Sequence, residues 1–108
     1  MKEKTVALYT GRHEIKTADG ELVEEGIFDA LPFEMKFEPM GHHAKNFLMR
    51  HSDLNVLHLY VTGFTPALTS LLIQFNKLMY YERPNKLILY HFDRDSAGYL
   101  PQEYFIRE

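Results

Sequence analysis

Three short apolar runs and one helical stripe organise the chain. Thr5–Tyr9, Asn55–Val61 and Lys86–Phe92 are dense in Val, Leu, Ile and Tyr and do not alternate with polar residues. Such runs predict strands covered on both faces, as in a parallel sheet. Between the last two, Leu68, Leu71, Leu72, Phe75 and Leu78 recur at i, i+3, i+4, i+7 and i+10. That spacing predicts an amphipathic helix from Pro66 to about Tyr81, with Thr65 as N-cap, Pro66 at the first helical position and Pro84 as the stop. Strand, helix, strand is a right-handed parallel unit in nearly every known case. With the N-terminal strand, the pattern predicts one small α/β domain over residues 1–108. Its fold is Rossmann-like and doubly wound, with a mainly parallel sheet and one long helix after a central strand.

The remaining segments are less regular. Residues 12–40 carry Gly20, Gly26, Pro32 and Pro39 and an acidic cluster at Glu21, Glu24 and Glu25, without a helical or alternating period. A long loop with short strands or a helical turn is expected, and Leu31-Pro32-Phe33 and Phe37-Glu38-Pro39 read as extended because a residue before proline avoids the helical region. Ala44, Phe47, Leu48 and His51 share one face of a short helix over 42–51. Asp93–Gly98 is a turn, and Tyr99–Ile106 returns as an edge strand, where Pro101 is tolerated.

Composition narrows the function classes. The chain is 45% hydrophobic and 25% charged, which is globular and not disordered. A net charge of −3 opposes broad, sequence-independent DNA binding, which needs a basic surface, but leaves room for a local basic cleft. The absence of cysteine removes disulfides, thiolate catalysis and cysteine-based zinc sites. No apolar run approaches the roughly 20 residues of a membrane helix, and no apolar signal region follows Met1-Lys2-Glu3-Lys4. A cytoplasmic protein with no membrane partner is expected.

Candidate chemistry lies where the strands end. If the three are parallel, the exits Tyr9-Thr10-Gly11, Tyr60-Val61-Thr62-Gly63 and Tyr90-His91-Phe92-Asp93 share one rim. Ligands of open α/β sheets bind at that carboxyl rim, beside a switch in strand order. The ligand-binding candidates are Thr10, Gly11, Arg12, Thr62, Gly63, Thr65, Asp93 and Arg94. Thr62-Gly63-Phe64-Thr65-Pro66 leads into a helix N-terminus, an anion site by its unpaired N–H groups, although Thr65 as a plain cap explains it equally well. Arginine at 12 or 94 suits a phosphate, and His13 and His91 are the acid/base candidates. Each also reads as an ordinary polar turn residue. His91 and Asp93 share a strand face, as a catalytic pair or as a satisfied polar contact.

Other signals favour structural readings. His58, inside a central strand, reads as a hydrogen-bonded core histidine. His42-His43 lacks ligand spacing, so no metal site and no cofactor are expected. Asp93 and Asp95 precede Ser-Ala-Gly, which is ordinary hairpin chemistry. There is no Walker loop, no three-glycine dinucleotide fingerprint and no serine-hydrolase elbow. Tyr9, Tyr60 and Tyr90 near strand ends could stack on a base or fill the core.

The segment Leu59-Tyr60-Val61-Thr62-Gly63-Phe64-Thr65-Pro66-Ala67-Leu68 resembles the strand–turn–helix of small CRISPR-associated Rossmann-fold (CARF-type) sensors. The chain also resembles small bacterial and phage proteins with a Tyr-Thr-Gly-Arg-His start and a Tyr-His-Phe-Asp-Arg-Asp…Tyr-Leu-Pro-Gln end. The CARF resemblance implies a homodimer binding a cyclic oligonucleotide second messenger in antiviral defence, and in some members a metal-independent cleavage of it. The chain has Thr-Gly-Phe-Thr-Pro where such sensors often carry a second glycine and a lysine, so Arg12 or Arg94 would supply the positive charge. Three functions are therefore carried forward. The first is a nucleotide-binding module that senses or sequesters such a messenger. The second is a ring nuclease, a metal-independent phosphodiesterase acting on it. The third is a protein-interaction domain without a small ligand, using the 12–40 segment and the 99–106 tail.

Overall fold

The computed structural model of the chain describes residues 1–10, 14–28 and 36–106, the last by its backbone. Five strands form one sheet in the order β2-β1-β3-β4-β5: β1 Glu3–Tyr9, β2 Gly26–Phe28, β3 Val56–Tyr60, β4 Lys86–Asp93 and β5 Gly98–Ile106. β2, β1, β3 and β4 are mutually parallel, and β5 returns antiparallel along β4. The mainly parallel α/β architecture and the C-terminal edge strand thus match the sequence pattern. Pro101 lies in β5 opposite Tyr90, at the edge position that a residue without an N–H permits.

The two helices are α1, Phe37–Arg50, and α2, Thr65–Lys77. They connect β2 to β3 and β3 to β4, both stepping in the same direction across the sheet. Right-handed crossovers therefore set both on one face, where they pack on each other. A single core joins them to the sheet: Val6, Leu8, Leu57, Leu59, Leu87 and Leu89 point up into Ala44, Phe47, Leu48, Leu71 and Phe75. Gly41 allows the close approach, since a Cβ there would stand 3.1 Å from Gln74 Nε2. The opposite face carries no described helix. An arm over residues 14–25 covers part of it, so the domain is two-layered where double winding was expected.

That arm is a small turn closed by a bridge between Lys16 and Leu22 and by hydrogen bonds from Val23 N–H to Ile15 O and from Thr17 N–H to Glu21 O. Its two buried apolar residues, Ile15 and Val23, pack on Ala7 and Tyr60, with Tyr90 and Tyr99 alongside. Two residues in a polar stretch thus replace a helix as cover for the second face.

Helix boundaries differ from the sequence reading for identifiable reasons. α1 begins at Phe37, five residues before the expected start, because Pro39 falls in its first turn, where no N–H partner is lost. Phe37-Glu38-Pro39 is therefore helical, and Leu31-Pro32-Phe33 lies outside the described residues. α2 ends at Lys77, not near Tyr81. Leu78 turns extended (φ −73°, ψ 147°) and keeps its side chain buried, and a separate 3-10 turn follows at Tyr80–Glu82. Arg83 closes this end. Its guanidinium donates to Phe75 O at 2.5 Å and lies 4.7 Å and 4.4 Å over the rings of Phe75 and Phe105. Among the described residues no helix is long and apolar enough to cross a membrane.

Candidate functional site

The parallel strands bring three carboxyl ends to one rim. β1 lies between β2 and β3, so the connection leaving β1 runs to one side of it and the connection leaving β2 crosses to the other. The switch in strand order falls between β1 and β3, where open α/β sheets leave a crevice. Thr62 fastens this point. Its hydroxyl accepts from Tyr9 N–H at 3.0 Å and donates to Tyr9 O at 2.8 Å, adding a side-chain rung beyond the last backbone pair. On the other side, Val61 N–H donates to Tyr90 O, extending the β3–β4 pairing.

A cleft of about 510 Å³ opens at this rim. Its floor and walls are Tyr9 from β1, Val61, Thr62, Gly63 and Phe64 from the turn into α2, and Phe92, Arg94 and Tyr99 from the β4–β5 hairpin. Glu14 and Ile15 of the arm close the remaining side. Among the described residues its lining is mostly aromatic and apolar, with one guanidinium and one carboxylate. Glu14 is already paired, at 3.3 Å from Lys16 Nζ. A methyl group added at Gly63 meets nothing within 4 Å, so packing does not require glycine there.

Of the residues singled out in the sequence, Thr62, Gly63 and Arg94 line the cleft together. Thr10 packs instead on β2, where its hydroxyl lies 2.9 Å from the position a Cβ on Gly26 would take. Thr65 is the first helical residue, not the cap. Phe64 holds the N-cap position without a side-chain bond to the first turn, and Thr65 O accepts from the Thr69 hydroxyl. His91 meets Gln102 across the hairpin at 2.8 Å. Asp93 accepts from both the N–H and the hydroxyl of Ser96, which holds its carboxyl below the usual aspartate range. His91 and Asp93 thus each have a partner within the hairpin. Gly11, Arg12 and His13 lie outside the described residues.

Sequence reasoning passed over Glu14, Ile15, Phe64, Phe92 and Tyr99 as cleft residues. Phe92 offered a signal, a phenylalanine set between His91 and Asp93 in a polar exit, and the structure leaves it 57% exposed. Behind the cleft, Tyr60 stacks on Tyr90 at 4.5 Å with planes 4° apart and meets Tyr99 edge-on at 5.0 Å. Burial raises the pKa of all three tyrosines. The chain of contacts continues from the Tyr90 hydroxyl to His58 Nδ1 at 2.7 Å and from His58 Nε2 to Glu3 at 2.7 Å. His58 is therefore a hydrogen-bonded strand histidine. Among the described residues no three His, Asp or Glu side chains gather as metal ligands would. Comparison with family models, with curated proteins and with solved structures finds no match to this chain.

Proposed function

We propose that the chain is a nucleotide-binding module whose ligand occupies the rim cleft. One observation carries this reading: Tyr9, Phe64, Phe92 and Tyr99 surround a cleft that also holds the Arg94 guanidinium, beside a strand-order switch. Aromatic rings stack on bases of any sequence, and a guanidinium matches a phosphate with two parallel hydrogen bonds. A volume of about 510 Å³ falls within the range of small-ligand sites. In this reading the ligand is a cyclic oligonucleotide second messenger of a CRISPR or other anti-phage response. The chain, a cytoplasmic homodimer, senses or sequesters it.

Cleavage of the same ligand is the second reading. Binding is favoured over it because no described histidine lines the cleft, and His91 is engaged by Gln102.

The test is a panel of mono-, di- and cyclic oligonucleotides, with bound mass read by native mass spectrometry and products by chromatography. Intact bound ligand supports the binding module, and shortened product supports the phosphodiesterase. Gly63→Ala is the site probe. The fold accommodates the methyl, so wild-type stability with weakened binding is expected. Binding unaffected by both Gly63→Ala and Arg94→Ala, or no binding by any member of the panel, would overturn the assignment.

A further inference from the structure

The rim cleft does not stop at Phe92 and Tyr99. A second, more open hollow of about 550 Å³ lies beside them, between the arm and the hairpin turn, with Lys16, Thr17 and Gly98 in its walls. Glu14, Phe92 and Tyr99 line both chambers and form the saddle between them. Among the described residues, Arg94 is the cation of the first chamber and Lys16 that of the second. The half-exposed ring of Phe92 stands between, edge-on to Tyr99 at 5.5 Å.

We propose that the second chamber is a second anion subsite. The ligand unit recognised is then a nucleoside carrying a phosphate on each side, with its base against Phe92 and its two phosphates toward Arg94 and Lys16. The inference rests on the reading of the first chamber as a nucleotide site. The arm fixes the backbone at Lys16, which pairs with Leu22. Thr17 and Glu21 close its turn through Thr17 N–H to Glu21 O and Glu21 N–H to Thr17 Oγ1, while Ile15 is buried beneath it. Without ligand, Glu14 neutralises Lys16 across 3.3 Å. Both side chains are well exposed, and a surface pair of this kind is weak, so a phosphate can displace the carboxylate. Glu14 thereby tunes the subsite. It keeps Lys16 paired when the cleft is empty and repels a second phosphate when it is full.

Titration calorimetry with adenosine 3′,5′-bisphosphate, adenosine 5′-monophosphate and adenosine 3′-monophosphate separates the claims. The bisphosphate is expected to bind about tenfold more tightly than either monophosphate, the gain of one charge-assisted contact. Lys16→Ala should remove that gain and weaken only one of the two monophosphates, whereas Arg94→Ala should weaken the bisphosphate and the other monophosphate. Glu14→Gln should tighten the bisphosphate selectively. If the bisphosphate and the monophosphates bind equally, or the gap survives Lys16→Ala, the second subsite is refuted and the first-chamber reading stands. If none binds to wild type or to Glu14→Gln, the second subsite is refuted as well, and the oligonucleotide panel alone decides the reading of the first chamber.

Discussion

Replacing Thr62 by valine removes one hydroxyl and keeps the shape, so it isolates the rung that joins β1 to the end of β3. Two hydrogen bonds disappear, one from Tyr9 N–H and one to Tyr9 O. Each such bond contributes about 0.5–1.5 kcal/mol net, and more where the abandoned partner stays dry. Tyr9 is buried but Thr62 is only half-buried, so water rescues part of the loss. The expected cost is about 1.5 kcal/mol, which lowers Tm by roughly 6–12 °C in a domain of this size. Thr62→Ser keeps the hydroxyl and loses one partly covered methyl, for about 0.4 kcal/mol. Thermal melts and urea titrations of the three proteins, followed by far-UV circular dichroism, give the comparison. Wild-type stability in Thr62→Val, or equal damage in both variants, would refute the rung as a stabilising element of the switch point.

Other consequences are equally direct. Ala97 sits in the left-handed region at φ 55°, so Ala97→Gly should raise stability by about 0.5 kcal/mol, the relief of strain less the added freedom of the unfolded chain. Gly26→Ala should cost about 1–3 kcal/mol in urea unfolding, because the new Cβ would stand 2.9 Å from Thr10 Oγ1 and 3.2 Å from Thr10 N. A compensating Thr10→Gly should recover only the side-chain part of that cost. Tyr60, Tyr90 and Tyr99 have raised folded-state pKa values, with burial the first cause. Their contribution to stability is complete below the ordinary value of 10.0 and is lost as pH rises through the raised folded values. Tyrosinate absorbance should show these groups ionising late, in step with alkaline unfolding. Their ionisation below pH 10 in the folded protein would contradict the burial.

Legibility in the sequence followed the density of the apolar pattern. β3, α2 and β4 are each long enough for their period to be read, and they carry most of the core. Their parallel order also foretold a common rim, and Thr62, Gly63 and Arg94 do meet there. The start of α1 was hidden by Pro39, since a proline in the first turn of a helix and one in an extended segment look alike in a single sequence. The end of α2 was hidden because Leu78 continues the apolar stripe after the backbone has left the helix. The arm was harder still. Ile15 and Val23 are eight positions apart, and their burial depends on Ala7 in the preceding strand and on Tyr60, far along the chain. Glu14, Phe92 and Tyr99 escaped notice for the same reason: the saddle they form joins segments that no local period connects.

The clamp at Arg83 has a consequence at the other end of the molecule. Phe105, under its guanidinium, pairs with Leu87 at the root of the β4–β5 hairpin, and Asn76 holds the Tyr104 hydroxyl beside it. The tip of the same hairpin carries Phe92, Arg94 and Tyr99 into the cleft. The hairpin is thus riveted at its base to α2 and seated along β3 as far as Tyr90, and only its tip beyond that pairing reaches out to the rim. Amide exchange along it should quicken from root to tip. Loosening the rivet would shorten the lifetime of the cleft from the far end of the sheet, without touching any residue that lines it.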